Sequence, residues 1–110
     1  MSTKLIVVTG VTGVQGGSVA RLFAQDPNWR VRGITRHPDK PANASLREAG
    51  IELVAGDYDD VDSLDRAFNG ANAIFGTTDF WYEAETVLLC ASKITDSFIL
   101  NTGSSSKTHR

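Results

Sequence analysis

The chain has 110 residues, 41% of them hydrophobic, with 11 basic and 13 acidic side chains and a formal charge of -2. This supports one domain with one modest core and excludes both a disordered chain and a pair of domains. The basic residues are scattered rather than gathered in a stripe, so direct nucleic-acid binding and membrane attachment are not expected.

In chain order, KLIVVT (residues 4–9) is too short for a helix and too evenly apolar for a half-exposed strand. It reads as a buried parallel strand. The glycine cluster TGVTGVQGG (9–17) follows, and then SVARLFAQ (18–25) sets Val19, Leu22 and Phe23 at helical spacing before Asp26, Pro27 and Asn28 end the helix. WRVRGIT (29–35) is a second strand, followed by the polar turn RHPDKP. Residues 42–49 form a short helix closed by Gly50, and IELVAG (51–56) is a third strand. Asp59 or Asp60 caps a helix whose apolar positions are Val61, Leu64, Ala67 and Phe68, and Asn69–Gly70 stops it. ANAIFGTT (71–78) is a fourth strand, YEAETVLLCASK (82–93) a helix and SFILNT (97–102) a fifth strand. Residues 103–110 are a polar tail without periodic pattern.

Strands alternating with helices imply right-handed crossovers onto one sheet. The expected fold is α/β over residues 1–110: a Rossmann-like doubly wound parallel sheet of about five strands, incomplete beside the usual six or so. Its edge strand at the fifth position is expected to lack a cover.

Gly10, Gly13 and Gly16 are spaced GxxGxxG between the first strand and the first helix. Gly10 permits the tight turn, Gly13 lets the backbone approach a pyrophosphate, and Gly16 lets the helix pack close to the sheet. Amides at the helix start then face the phosphates. Gly17 adds little specificity. A glycine turn alone is weak evidence, but the strand before, the helix after and the returning strand about 20 residues on point to dinucleotide binding.

At the end of the second strand a NAD site often carries Asp or Glu; here Arg36 stands instead. Its guanidinium can fork onto the 2′-phosphate of NADP, so NADP (NADPH) is expected in preference to NAD. Thr35 can add a hydroxyl, and His37 or Lys40 a second positive group; His37 and Lys40 are equally well ordinary surface residues, and Arg36 is otherwise a solvated surface arginine. Asp57 and the Tyr58 backbone end the third strand beside the expected adenine position, where Asp57 is otherwise a turn residue. Thr77 and Thr78 end the fourth strand as candidate walls on the nicotinamide side. Phe80, Trp81 and Tyr82 form an aromatic cluster suited to a pocket lid, a partner surface or core packing.

No group is arranged for proton transfer to a substrate. Tyr58 lies on the adenine side, and Tyr82 is followed four residues later by Thr86 rather than lysine. Ser104 to Ser106 offer only a polar strand end. No catalytic residue is assigned, and the chain leans away from being an enzyme. Cys90, the one cysteine, sits in VLLCAS and reads as a buried small hydrophobe. His37 and His109 lack ligand-spaced partners, so no metal is expected. No apolar run approaches the roughly 20 residues of a membrane span. No signal peptide opens the chain, and an intracellular, reducing compartment is expected.

VTGVTGVQGGSVARLF, VRGITRHPDKPA and VAGDYDDVDSLDRAFNGANAIFGTTDFW together resemble the N-terminal half of NmrA-like proteins, from about residue 4 through residue 81. That family belongs to the atypical short-chain dehydrogenase/reductase group. The resemblance implies an NADP(H)-binding Rossmann domain that acts as a redox sensor or transcription co-regulator, cytoplasmic and also nuclear, with a protein partner for the full-length relative. It carries cofactor contacts to Gly10, Thr12, Gly13, Gln15 and Gly16, to Arg36, to Asp57 and Tyr58, and to Thr77 and Thr78. Members commonly lack the catalytic tyrosine, while some relatives are NADPH-dependent reductases. From Trp81 onward the chain is short against the family pattern. It is therefore expected to be the N-terminal part of a longer protein, its substrate region lying in a C-terminal half, or else a truncated remnant without activity.

Overall fold

The computed structural model describes residues 3–78, 81–95, 97–102 and 105–109. The chain runs β1 (Lys4–Thr9), α1 (Val14–Ala24), β2 (Trp29–Thr35), a 3-10 turn (Pro41–Asn43), α2 (Ala44–Glu48), β3 (Glu52–Ala55) and α3 (Val61–Phe68). It continues through β4 (Ala73–Thr78), α4 (Trp81–Ser92), β5 (Phe98–Thr102) and β6 (Ser105–His109). The sheet order is β3-β2-β1-β4-β5-β6. The first five strands are parallel, and β1 lies between β2 and β4, where the winding reverses. This is the Rossmann-like α/β fold that the alternating pattern implied.

Two expectations about the end of the chain are corrected. The polar tail contains a sixth strand, which pairs antiparallel with β5 from Thr102↔Ser105 to Phe98↔His109. The open edge expected at β5 is therefore covered, because strand pairing needs only backbone donors and acceptors and SSKTH supplies them without an apolar face. The first helix also starts four residues earlier than expected, at Val14, so Gly16 and Gly17 are helical.

Alternation along β1 divides the core between the two faces of the sheet. Leu5 and Val7 pack with Leu64, Ala67 and Phe68 of α3 and with Val87, Cys90 and Ala91 of α4. Ile6 and Val8 face the other way, against Ala20 of α1, Val31 of β2 and Leu46 of α2. Val19 and Phe23 join that second cluster as partly buried neighbours, whereas Leu22 is 66% exposed. Helical spacing places all three near one another, but only the side that meets the sheet is covered.

Local chemistry fixes the ends of these elements. Of the two aspartates proposed to cap α3, Asp60 does so: its carboxylate accepts from the Ser63 amide at 3.3 Å. The other end of α3 is held from the sheet. Arg32 on β2 donates from Nη1 to the carbonyls of Ala67 at 2.9 Å and Asn69 at 3.0 Å, while its Nε meets Glu52 at 3.1 Å. The guanidinium thus satisfies carbonyls that a helix terminus leaves without partners. Asn72 does similar work at the base of the sheet, where Oδ1 accepts from the Leu5 amide at 2.8 Å and its own amide donates to the Leu5 carbonyl at 2.7 Å.

Candidate functional site

The glycine loop leaves β1 through Gly10, whose φ of +62° is open to few other residues. A Cβ there would also collide with the Thr77 side chain. The Gly13 amide then donates to the Gly10 carbonyl at 2.9 Å, closing the turn. Gly13 is the residue before α1, and no side chain caps the helix; its first turn carries no acid. Gly16 lies against the loop itself: an added Cβ would meet the Gly10 carbonyl and stand 3.0 Å from the Thr9 oxygen. Its small size therefore lets the helix start close onto the end of β1 and the loop that leaves it, as its spacing suggested.

Beyond the loop opens a cleft of about 890 Å³, bounded by the C-terminal ends of β1, β2, β3 and β4. Ten of the eleven residues singled out from the sequence line it: Gly10, Thr12, Gly13, Gln15, Gly16, Thr35, Arg36, Asp57, Tyr58 and Thr77. Thr78 ends β4, and its side chain lies outside the described residues. His37 and Lys40 also reach the lining. Thr9, Val14, Ile34, Ala42, Asn43, Gly56 and Leu64 line it as well, without having been singled out. Four of these are apolar residues whose pattern reports burial or exposure but not proximity to a cleft.

The rim at the end of β2 is cationic. Arg36, His37 and Lys40 are exposed there, and among the described residues none of their side chains has a hydrogen-bond or ion-pair partner. Among the described residues Asp57 is the one acid in the lining. One of its oxygens accepts from the Asp59 amide at 2.9 Å, and its own amide donates to Ser63 Oγ at 3.0 Å. The turn role weighed for Asp57 is thus present in the structure, with the carboxylate still at the cleft.

The floor lies where β1 and β4 part. Their ladder spans only Ile6↔Ala73 to Val8↔Phe75. Past it, side chains take over: the Thr77 amide donates to Thr9 Oγ1 at 3.0 Å, and Thr77 Oγ1 donates to the Thr9 carbonyl at 3.2 Å. Tyr58 reaches across from the β3 side and donates its hydroxyl to the Thr77 carbonyl at 2.7 Å. The Tyr58 ring packs against the α3–α4 cluster. Separation of strand ends at the reversal of winding is the geometry that makes ligand crevices in open α/β sheets.

Other residues stand apart. Cys90 is wholly buried behind the sheet, and its thiol is pushed up to about 11, first by burial and then by a hydrogen bond to Asp65 and that carboxylate's charge. A thiol so held is a packing group, not a nucleophile. Phe80 and Ser104 lie outside the described residues, as do the side chains of Trp81 and Tyr82. Among the described residues no cluster of metal-ligating side chains occurs, and no helix is long and apolar enough to cross a membrane.

The NmrA-like family model matches residues 2–97. Among similar proteins, an NmrA-like family domain-containing oxidoreductase from Cladobotryum sp, FrzB, is 48% identical over 66% of this chain and 22% of its own length. Another from Aspergillus hancockii, hkm9, is 33% identical over 96% of this chain and 35% of its own. The chain thus spans about a fifth to a third of these relatives. A solved structure of NmrA, a negative transcriptional regulator, in complex with NADP superposes with a TM-score of 0.73 at 23% identity, over 84% of this chain and 31% of that one. Glycine loop, sheet order and family model agree, and the chain belongs to the NmrA-like family.

Proposed function

We propose that the cleft binds NADP(H), in preference to NAD, and that the protein to which this domain belongs is a redox-sensing or transcription co-regulatory protein. The observation that carries the reading is Arg36: a guanidinium at the tip of β2, on the cleft rim, with no protein partner among the described residues. A fork of donors left free beside the Lys40 ammonium and the His37 imidazole suits a phosphate better than a bare ribose. The NADP complex of NmrA supports the same nucleotide. When bound, the nicotinamide supplies hydride chemistry. The residues of this chain account for holding the dinucleotide: loop amides at the pyrophosphate, Arg36 at the 2′-phosphate, and Asp57 with the Tyr58 backbone toward the adenine.

A second reading is an NADPH-dependent reductase whose substrate region lies beyond this chain. It is favoured by the oxidoreductase names of the fungal relatives. Against it stands the sequence at Tyr82, where Thr86 occupies the position a paired lysine would need.

Calorimetric titration with NADP and NAD tests the first reading. Tighter NADP binding, reduced to NAD-like affinity in Arg36→Ala, supports it; equal affinities in the unsubstituted chain remove the role of Arg36. Folded chain that binds neither nucleotide sinks both readings. NADPH oxidation by the full-length protein with carbonyl or quinone substrates separates the reductase from the sensor.

A further inference from the structure

Behind the exposed cationic rim stands one buried polar residue. Asn43 is 5% exposed and ends the turn Pro41–Asn43. Its Nδ2 donates to the His37 carbonyl at 2.9 Å, and its backbone amide donates to the Lys40 carbonyl at 3.0 Å. The His37 carbonyl also accepts from the Lys40 amide at 3.2 Å. A carbonyl can only accept, so the NH2 end of the carboxamide must face it. Pro38 and Pro41 bring no N–H of their own to this segment. Asn43, itself buried, therefore ties both ends of the loop 37–40 to the start of α2, which Leu46, 4% exposed, anchors in the core.

We propose that Asn43 is a positioning residue for the 2′-phosphate, a role that rests on the NADP reading above. It touches the cleft wall, but its work is done on the backbone that presents Arg36, His37 and Lys40. Long cationic side chains on a loose loop lose much freedom when they converge on one phosphate. A loop already fixed avoids the backbone share of that loss. The benefit is confined to a ligand carrying the 2′-phosphate, because the pyrophosphate and the ring systems meet other elements. Asn43 thus acts on the choice between NADP and NAD, through the loop rather than by contact with the phosphate.

The test is calorimetric titration of Asn43→Ala and Asn43→Asp with NADP and with NAD, beside thermal melts. Asn43→Asp keeps the size and shape of the side chain but exchanges the donor for a carboxylate oxygen, so it guards against failure through packing. Asn43→Ala adds no charge and guards against a purely electrostatic effect; a loss of preference in Asn43→Asp alone overturns the proposal. Both variants are expected to bind NADP about three- to tenfold more weakly, the range of one lost hydrogen bond, with NAD affinity unchanged. An unchanged NADP-to-NAD ratio in both variants overturns the proposal. So does equal loss of both nucleotides, which makes Asn43 a residue of the general fold. Absence of NADP preference in the unsubstituted chain instead refutes the reading on which the proposal rests.

Discussion

Replacing Gly16 and Gly13 by alanine, one at a time, separates the part of the glycine loop that serves the fold from the part assigned to the ligand. At Gly16 the new methyl meets backbone, not a side chain able to swing away: the Gly10 carbonyl carbon lies 2.8 Å and the Thr9 oxygen 3.0 Å from the added Cβ. Either the helix start lifts or the loop shifts. Overpacking of this kind costs about 1–3 kcal/mol, and the better helix propensity of alanine returns at most about 1 kcal/mol. A net loss of about 1–2 kcal/mol lowers the melting temperature by roughly 4–15 °C in a domain of this size. Gly13 differs. Its φ of -84° and ψ of 174° suit any residue, and an added Cβ finds only the Gly10 oxygen, at 3.3 Å. Gly13→Ala should therefore melt within about 3 °C of the unsubstituted chain, its entropic gain of roughly 0.4–1 kcal/mol offsetting the tight contact. Yet the methyl stands where the pyrophosphate is assigned, and NADP affinity should fall by about tenfold or more, some 1.4 kcal/mol. Circular-dichroism melts and calorimetric titration read the two effects. A Gly16→Ala variant as stable as its parent refutes the helix–loop contact; a Gly13→Ala variant with full affinity refutes the close phosphate approach.

Asn72→Ala removes the acceptor of the buried Leu5 amide. It should cost about 1–3 kcal/mol in urea denaturation, the penalty of an unpaired buried donor. Cys90, with its thiol pushed up to about 11 from an ordinary 9.0, should resist alkylation at pH 8 in the folded chain and react once the chain is unfolded. The unfolded thiol ionises first, so the unfolded state binds fewer protons between those two values. Stability should fall as pH rises from about 9 toward about 11, and Cys90→Ser should remove that component of the decline in denaturation measured across the range.

What the sequence disclosed was local. Element order followed from apolar runs bounded by turn residues, and the glycine loop was recognisable because its strand and helix adjoin it within a few positions. Arg36 was legible for the same reason, being the next residue after a strand of known role. The unread features join distant parts of the chain. Thr9 and Thr77 are 68 positions apart and meet only because β1 and β4 are neighbours in the sheet. Arg32 reads as an alternating surface residue until α3 is seen to end above it. Asn43, in the polar stretch PANAS, carries no local mark of burial. β6 has no periodic pattern because what holds it is the free edge of β5, and Leu22 has the right spacing for the core but nothing over it. Pattern reports which side chains share a side; it does not report what arrives there.

The parting of β1 and β4 gives the cleft floor a built-in reporter. Two residues past the last paired residue of the β1–β4 ladder, the Thr77 amide is sheltered by a single hydroxyl, Thr9 Oγ1. Opening the gap between the strand ends breaks the bonds between Thr9 and Thr77, that one among them, before it breaks any rung of the sheet. The exchange rate of this amide proton with solvent thus measures how often the floor spreads, independently of global unfolding. A ligand that bridges the two strand ends should slow it, whereas one confined to the rim should leave it unchanged.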